Sequence, residues 1–136
     1  MDYNKFLNKV IDNGIAAAKK DYTHKDQAAL LRGSIAGFEA CRGKTAAELA
    51  EILKEAKEDS FRAYLKRPDL TDEELEESWE KRGYESEVGW VCNVVSALLA
   101  NEGKQTIGTP TARGTMMAAK VVGVKEELAG TERTAG

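Results

Sequence analysis

The chain predicts an all-α fold, a bundle of five helices with one strongly apolar helix at its centre and a homo-oligomeric assembly. Three observations lead there. Proline occurs only at positions 68 and 110 of the 136 residues. Apolar residues recur at helical spacing nearly throughout, and no clear alternating run suggests a strand. Capping signals stand where the periodic runs begin and end.

Taken in order, Tyr3, Phe6, Leu7, Val10, Ile11, Ile15 and Ala18 make one stripe, predicting a first helix over about residues 2–20. Ala28, Leu31, Ile35, Phe38 and Cys41 give a second, closed by Gly43 as a left-handed cap. Thr45-Ala46-Ala47-Glu48 is a capping box, and Leu49, Ile52, Leu53, Ala56, Ala63 and Tyr64 continue a third helix to Pro68. A second box, Thr71-Asp72-Glu73-Glu74, opens the fourth, which runs to Asn101 or Glu102 before Gly103. The fifth begins at Pro110, with Thr109 as its N-cap and proline in the first helical position, and stops at Gly123. One domain over residues 1–126 is expected, followed by a flexible tail over 127–136.

The fourth helix raises a question of length. Unbroken, it spans about 45 Å at 1.5 Å per residue. A globule of this size has a radius of gyration of only about 14 Å. Either Gly83 breaks the helix near Tyr84, or one end projects toward another subunit. The run Val88–Ala100 is apolar on nearly every side, as suits a bundle centre or a subunit interface. Ala29, Gly33 and Gly37, four apart, form a small-residue face that lets another backbone come close. Together these features favour a homo-oligomer over a bent helix in a monomer.

Composition narrows the function. A net charge of -3, from 20 basic and 23 acidic residues, lacks the basic excess of a general duplex binder, so nucleic acid is disfavoured as a partner. The two cysteines, Cys41 and Cys92, sit inside apolar helical patterns and read as reduced, buried thiols. The opening Met-Asp-Tyr-Asn-Lys is no signal peptide, and no uncharged run approaches membrane-spanning length. A cytoplasmic location follows as an expectation.

Catalytic motifs fail on inspection. Gly43-Lys44-Thr45 invites a phosphate-loop reading, but the first glycine of that motif would fall at Phe38, and a helix precedes it instead of a strand. His24 is the only histidine and lies in a polar link, so neither a metal site nor a His-dependent nucleophile is expected. No cofactor and no enzymatic activity are predicted.

Two features suggest binding. Thr109, Thr111 and Arg113 stand at the predicted start of the last helix, where free amides attract anions and a guanidinium adds a forked donor. On the fourth helix, Trp79 and Trp90 are eleven residues apart and differ by only about 20° around the axis. Arg82, Ser86 and Asn93 fall close to the same line, and Tyr84 is a further candidate to stack a planar group. The bland reading makes both indoles core and Asn93 a satisfied buried amide. A separate acidic stretch from Asp69 to Glu80 reads as a solvated face or as a surface for a basic partner protein.

Three blocks, Phe38-Glu39-Ala40-Cys41-Arg42-Gly43-Lys44-Thr45, Glu87–Ser96 and Pro110-Thr111-Ala112-Arg113-Gly114, together resemble a family of small phage and prophage proteins of uncharacterised function. The resemblance implies an early accessory protein acting in the host cytoplasm. Small oligomeric phage proteins of that kind often blunt host defence, some by sequestering nucleotide-derived signals and others by binding a host protein. The expectation is therefore a homo-oligomer that sequesters an anionic, nucleotide-like small molecule through Trp79, Arg82, Tyr84, Trp90, Asn93, Thr109, Thr111 and Arg113. The alternative is a protein–protein inhibitor or scaffold acting through the acidic 69–80 face.

Overall fold

Local capping chemistry sets most of the helix ends. The computed structural model describes residues 2–123. The predicted domain boundary at residue 126 and the tail over 127–136 lie outside the described residues. Within them the chain is helical, without a strand: α1 (Tyr3–Asp21), a single 3-10 turn (Lys25–Gln27), α2 (Ala28–Cys41), α3 (Ala46–Glu58), α4 (Arg62–Leu65), α5 (Asp72–Asn101) and α6 (Ala112–Val122). Both predicted capping boxes form. Thr45 and Glu48 exchange side-chain and backbone hydrogen bonds ahead of α3, and Thr71 and Glu74 do so ahead of α5. Gly43, Gly103 and Gly123 take the left-handed conformation that ends α2, α5 and α6, with φ of 72°, 69° and 70°.

Two predicted boundaries are corrected. The third helix does not continue through Ala63 and Tyr64; α3 stops at Glu58, and α4 is a separate turn. Ser60 accepts from the Arg62 backbone N–H and from its guanidinium, a local bond that competes with helix continuation. The last helix does not start at Pro110 under a Thr109 cap. Its N-cap is Thr111, whose hydroxyl accepts from the Gly114 N–H at 3.1 Å. Asn93 of α5 decides this. Its Nδ2 donates to Thr111 Oγ1 and its Oδ1 accepts from the Thr111 N–H, each at 2.9 Å, which pins Thr111 in an extended conformation outside the helix.

α5 is continuous through Gly83 and packs against α1, α2, α3, α4 and α6. Its Val88, Val91, Val94 and Val95 are fully buried against Phe6, Leu7 and Ile11 of α1, Phe38 and Cys41 of α2, Leu49 of α3 and Val121 of α6. Burial of this set is the main favourable term for the fold.

The closest backbone approach is between α2 and α5. A Cβ added at Gly33 would lie 2.0 Å from the Glu80 carbonyl oxygen, and one at Gly83 2.5 Å from that of Leu30. Gly37 meets the Tyr84 backbone in the same way, at 2.7 Å. The small-residue face of α2 is thus occupied by this chain's own α5. Among the described residues, no helix is long and apolar enough to cross a membrane.

Candidate functional site

A cleft of about 590 Å³ opens between α1, α5 and α6. Its floor is apolar because Gly14 on α1 has no side chain. The buried Phe38 ring lies where a Cβ would be, 2.2 Å from that position. Val10 and Met117 extend the apolar lining, and the half-buried Trp90 forms part of the α5 wall. Polar groups stand around this floor: Asn13, Asp21 and Tyr22 from α1 and its end, Ser86, Glu87 and Asn93 from α5, and the exposed Arg113 from the first turn of α6. An apolar base with a few convergent polar groups is the usual form of a small-molecule pocket.

The eight residues predicted to bind ligand do not converge. Trp90, Asn93 and Arg113 share the cleft. Thr111 stands beside it, but its hydroxyl is engaged by Asn93 and the Gly114 N–H. The Asn93 amide spends one N–H and one oxygen lone pair on Thr111, so it positions the start of α6. Thr109 is exposed and lies ahead of the helix. Tyr84 lines a different groove, of about 550 Å³, with Arg32, Glu55, Asp59, Glu80 and Lys81.

Trp79 and Arg82 fall outside both. The Arg82 guanidinium lies 5.3 Å from the Trp79 ring and 5.2 Å from the Phe61 ring, and Arg62 covers Phe61 at 4.8 Å. Angular alignment misled here: eleven residues bring two side chains to one line but separate them by about 16 Å along the axis. This stack also ties α4 to α5, since Arg62 Nη1 donates to both oxygens of the buried Glu85 at 2.8 Å.

Sequence reasoning passed over Glu87. It precedes Trp90 by three residues and so lies on a neighbouring part of the same face, which was the available signal. Its carboxyl is pushed up to about 7, chiefly by burial, while the Ser86 hydroxyl beside it acts in the opposite direction. No cationic side chain pairs with it among the described residues. The Tyr22 hydroxyl is raised as well, first by burial and then by the nearby Glu87 charge. The cleft therefore combines one cation, Arg113, with two acidic groups, Asp21 and Glu87.

The cysteines offer no nucleophile. Burial pushes the Cys41 thiol up to about 12 and that of Cys92 to about 11, and Cys92 donates to the Leu49 carbonyl at 3.6 Å. The acidic stretch is largely engaged within the chain. Glu74 pairs with Arg67, which also reaches Asp69; Glu76 and Glu80 meet Arg32; Glu77 meets Lys81. The Arg67 guanidinium holds the Glu74 carboxyl below the usual carboxylate range, with help from the Thr71 backbone.

Comparison with protein-family models, curated proteins and solved structures returned no match.

Proposed function

We propose that this chain is a non-enzymatic phage accessory protein of the anti-defence type, which captures a small, planar, anionic molecule of nucleotide kind. The observation that supports this reading best is the shared position of Trp90 and Arg113 on one apolar-floored cleft. Its volume, about 590 Å³, is within the common range for ligand pockets of about 300–1,000 Å³. A heterocycle would lie against the indole, and a phosphate would meet the guanidinium at the first turn of α6. Thr111 and Asn93 support that arrangement by fixing where α6 begins. Trp79, Arg82, Tyr84 and Thr109 leave the proposed ligand set.

Capture requires affinity without bond cleavage, and two thiols held protonated suit that role. The phage setting and the host cytoplasm rest on the family resemblance. A homo-oligomer remains part of the reading, supported by the exposed Leu65, Leu75, Trp79 and Met116; the glycine face no longer argues for it. Native mass spectrometry of the full chain reports subunit number and any retained small molecule together.

The direct test is thermal. A ligand present at a hundred times its Kd adds about 2.7 kcal/mol to the folded state, a rise of several degrees in Tm. A panel of nucleoside monophosphates and cyclic nucleotides should include one that raises Tm in the wild type and fails to do so in Arg113→Ala. A panel without effect on the wild type refutes the capture reading.

A further inference from the structure

Glu87 is the cleft group that the capture reading has not used. It stands on α5 one turn before Trp90 and lines the same cleft. Tyr22 at the end of α1 senses its charge, Asp21 and Arg113 line the same cleft, and Ser86 stands beside it on its own helix. Resting on the capture reading, we propose that Glu87 reads the hydrogen-bonding edge of the bound base and, when neutral, selects the amino-heterocycle edge shared by adenine and cytosine.

Donor and acceptor counting gives the selectivity. A neutral carboxyl offers one O–H donor and one carbonyl acceptor. It matches a ring nitrogen that accepts next to an exocyclic amino group that donates. An ionised carboxylate offers acceptors only and matches the adjacent N–H groups of guanine instead. A misplaced choice leaves a polar group facing its like in a partly desolvated wall, which is where discrimination is strongest.

Surroundings decide which form prevails. Burial favours the neutral carboxyl, and the Ser86 hydroxyl beside it favours ionisation. Tyr22 stays a neutral phenol, raised above its ordinary value. With the carboxyl pushed up to about 7, the neutral form is favoured at pH 6 and the ionised form at pH 8.5. Affinity scales with the competent fraction, so AMP should bind on the order of tenfold more weakly at pH 8.5 than at pH 6. GMP should move in the opposite direction.

Isothermal titration calorimetry of the full chain with AMP and with GMP, at pH 6 and pH 8.5, tests this. Glu87→Gln presents a fixed donor and acceptor, and it should bind AMP without the Glu87-dependent fall and bind GMP poorly at both pH values. The AMP phosphate titrates near pH 6 in both proteins, so the ratio between wild type and variant isolates the side chain. If AMP and GMP bind the wild type with the same pH dependence, or if the variant follows the wild-type profile, the base-edge assignment is overturned while the capture reading stands. If neither these nor other nucleotides bind the folded wild type at either pH, the capture reading itself falls.

Discussion

Gly33→Ala places one methyl group where α2 crosses α5, and the structure allows its cost to be worked out. The new Cβ would lie 2.0 Å from the Glu80 carbonyl oxygen, and also 2.8 Å from the Glu80 Cα. The obstacle is helix backbone, which cannot rotate aside like a side-chain end. To reach an ordinary contact the helices must part by about 1.4 Å, loosening packing along the seam between them. Overpacking of this kind costs about 1–3 kcal/mol and more where backbone is the obstacle. Alanine recovers about 1 kcal/mol through its helix propensity. With a backbone obstacle putting the cost at the upper end, a net loss of about 2 kcal/mol follows, or roughly a 7 °C fall in Tm. Gly89→Ala is the matched control on α5. Its Cβ would meet only Leu53 Cδ1, at 3.9 Å, so propensity should prevail and raise stability by about 0.5–1 kcal/mol. Urea denaturation with unchanged slope measures both. A Gly33→Ala protein as stable as the wild type, or a Gly89→Ala protein as damaged as Gly33→Ala, refutes the close-approach reasoning.

Three further outcomes can be measured. Asn93→Ala removes both bonds to Thr111 and should cost about 1–2 kcal/mol; hydrogen exchange should show lost protection at Thr111 and Gly114 while the α5 core stays protected. Arg62→Met leaves the Glu85 carboxylate without its cation and should cost about 2 kcal/mol by urea denaturation, whereas Arg62→Met combined with Glu85→Gln should recover much of the loss. Glu87 makes stability depend on pH with a defined sign. Its folded value of about 7 exceeds the ordinary 4.5, so the folded state holds more protons between those values and loses stability as pH rises through that window. Glu87→Gln should match the wild type below pH 4 and exceed it above pH 7 by about 1–2 kcal/mol, a figure already reduced for the solvent-exposed part of the side chain. Equal curves for both proteins from pH 4 to pH 8 would contradict that assignment.

Much of the fold was legible because its signals are local. The capping boxes at Thr45 and Thr71, and the left-handed glycines at 43, 103 and 123, act within four residues of themselves. The stripe of Phe6, Leu7, Val10 and Ile11 likewise states its own buried face. The errors came where a distant residue decided the outcome. Thr109 and Pro110 carry good helix-start chemistry, yet Thr111 is the cap because Asn93, eighteen positions earlier, holds it. Ala63 and Tyr64 continue the helical pattern of α3, yet Arg62 is drawn to Glu85, twenty-three positions later. Gly33 and Gly37 announce a close partner without saying whose backbone it is. In the candidate site, side-chain type identified Trp90 and Arg113 but could not separate them from Trp79 and Arg82. Glu87 was invisible as a titrating group because its perturbation comes from burial, which a neighbour in sequence does not reveal.

The separation of the two tryptophans gives the molecule a pair of independent optical reporters. Trp90 lines the cleft, and Trp79 is 38% exposed beneath a guanidinium on the far part of α5. Replacing Trp79 with phenylalanine leaves a single indole, placed to respond to any guest that enters the cavity. Replacing Trp90 leaves one that follows only the outer cation–aromatic layer and anything that comes to rest on it. Quenching by a small guest and shielding by a second polypeptide would then register on different chromophores in the same sample.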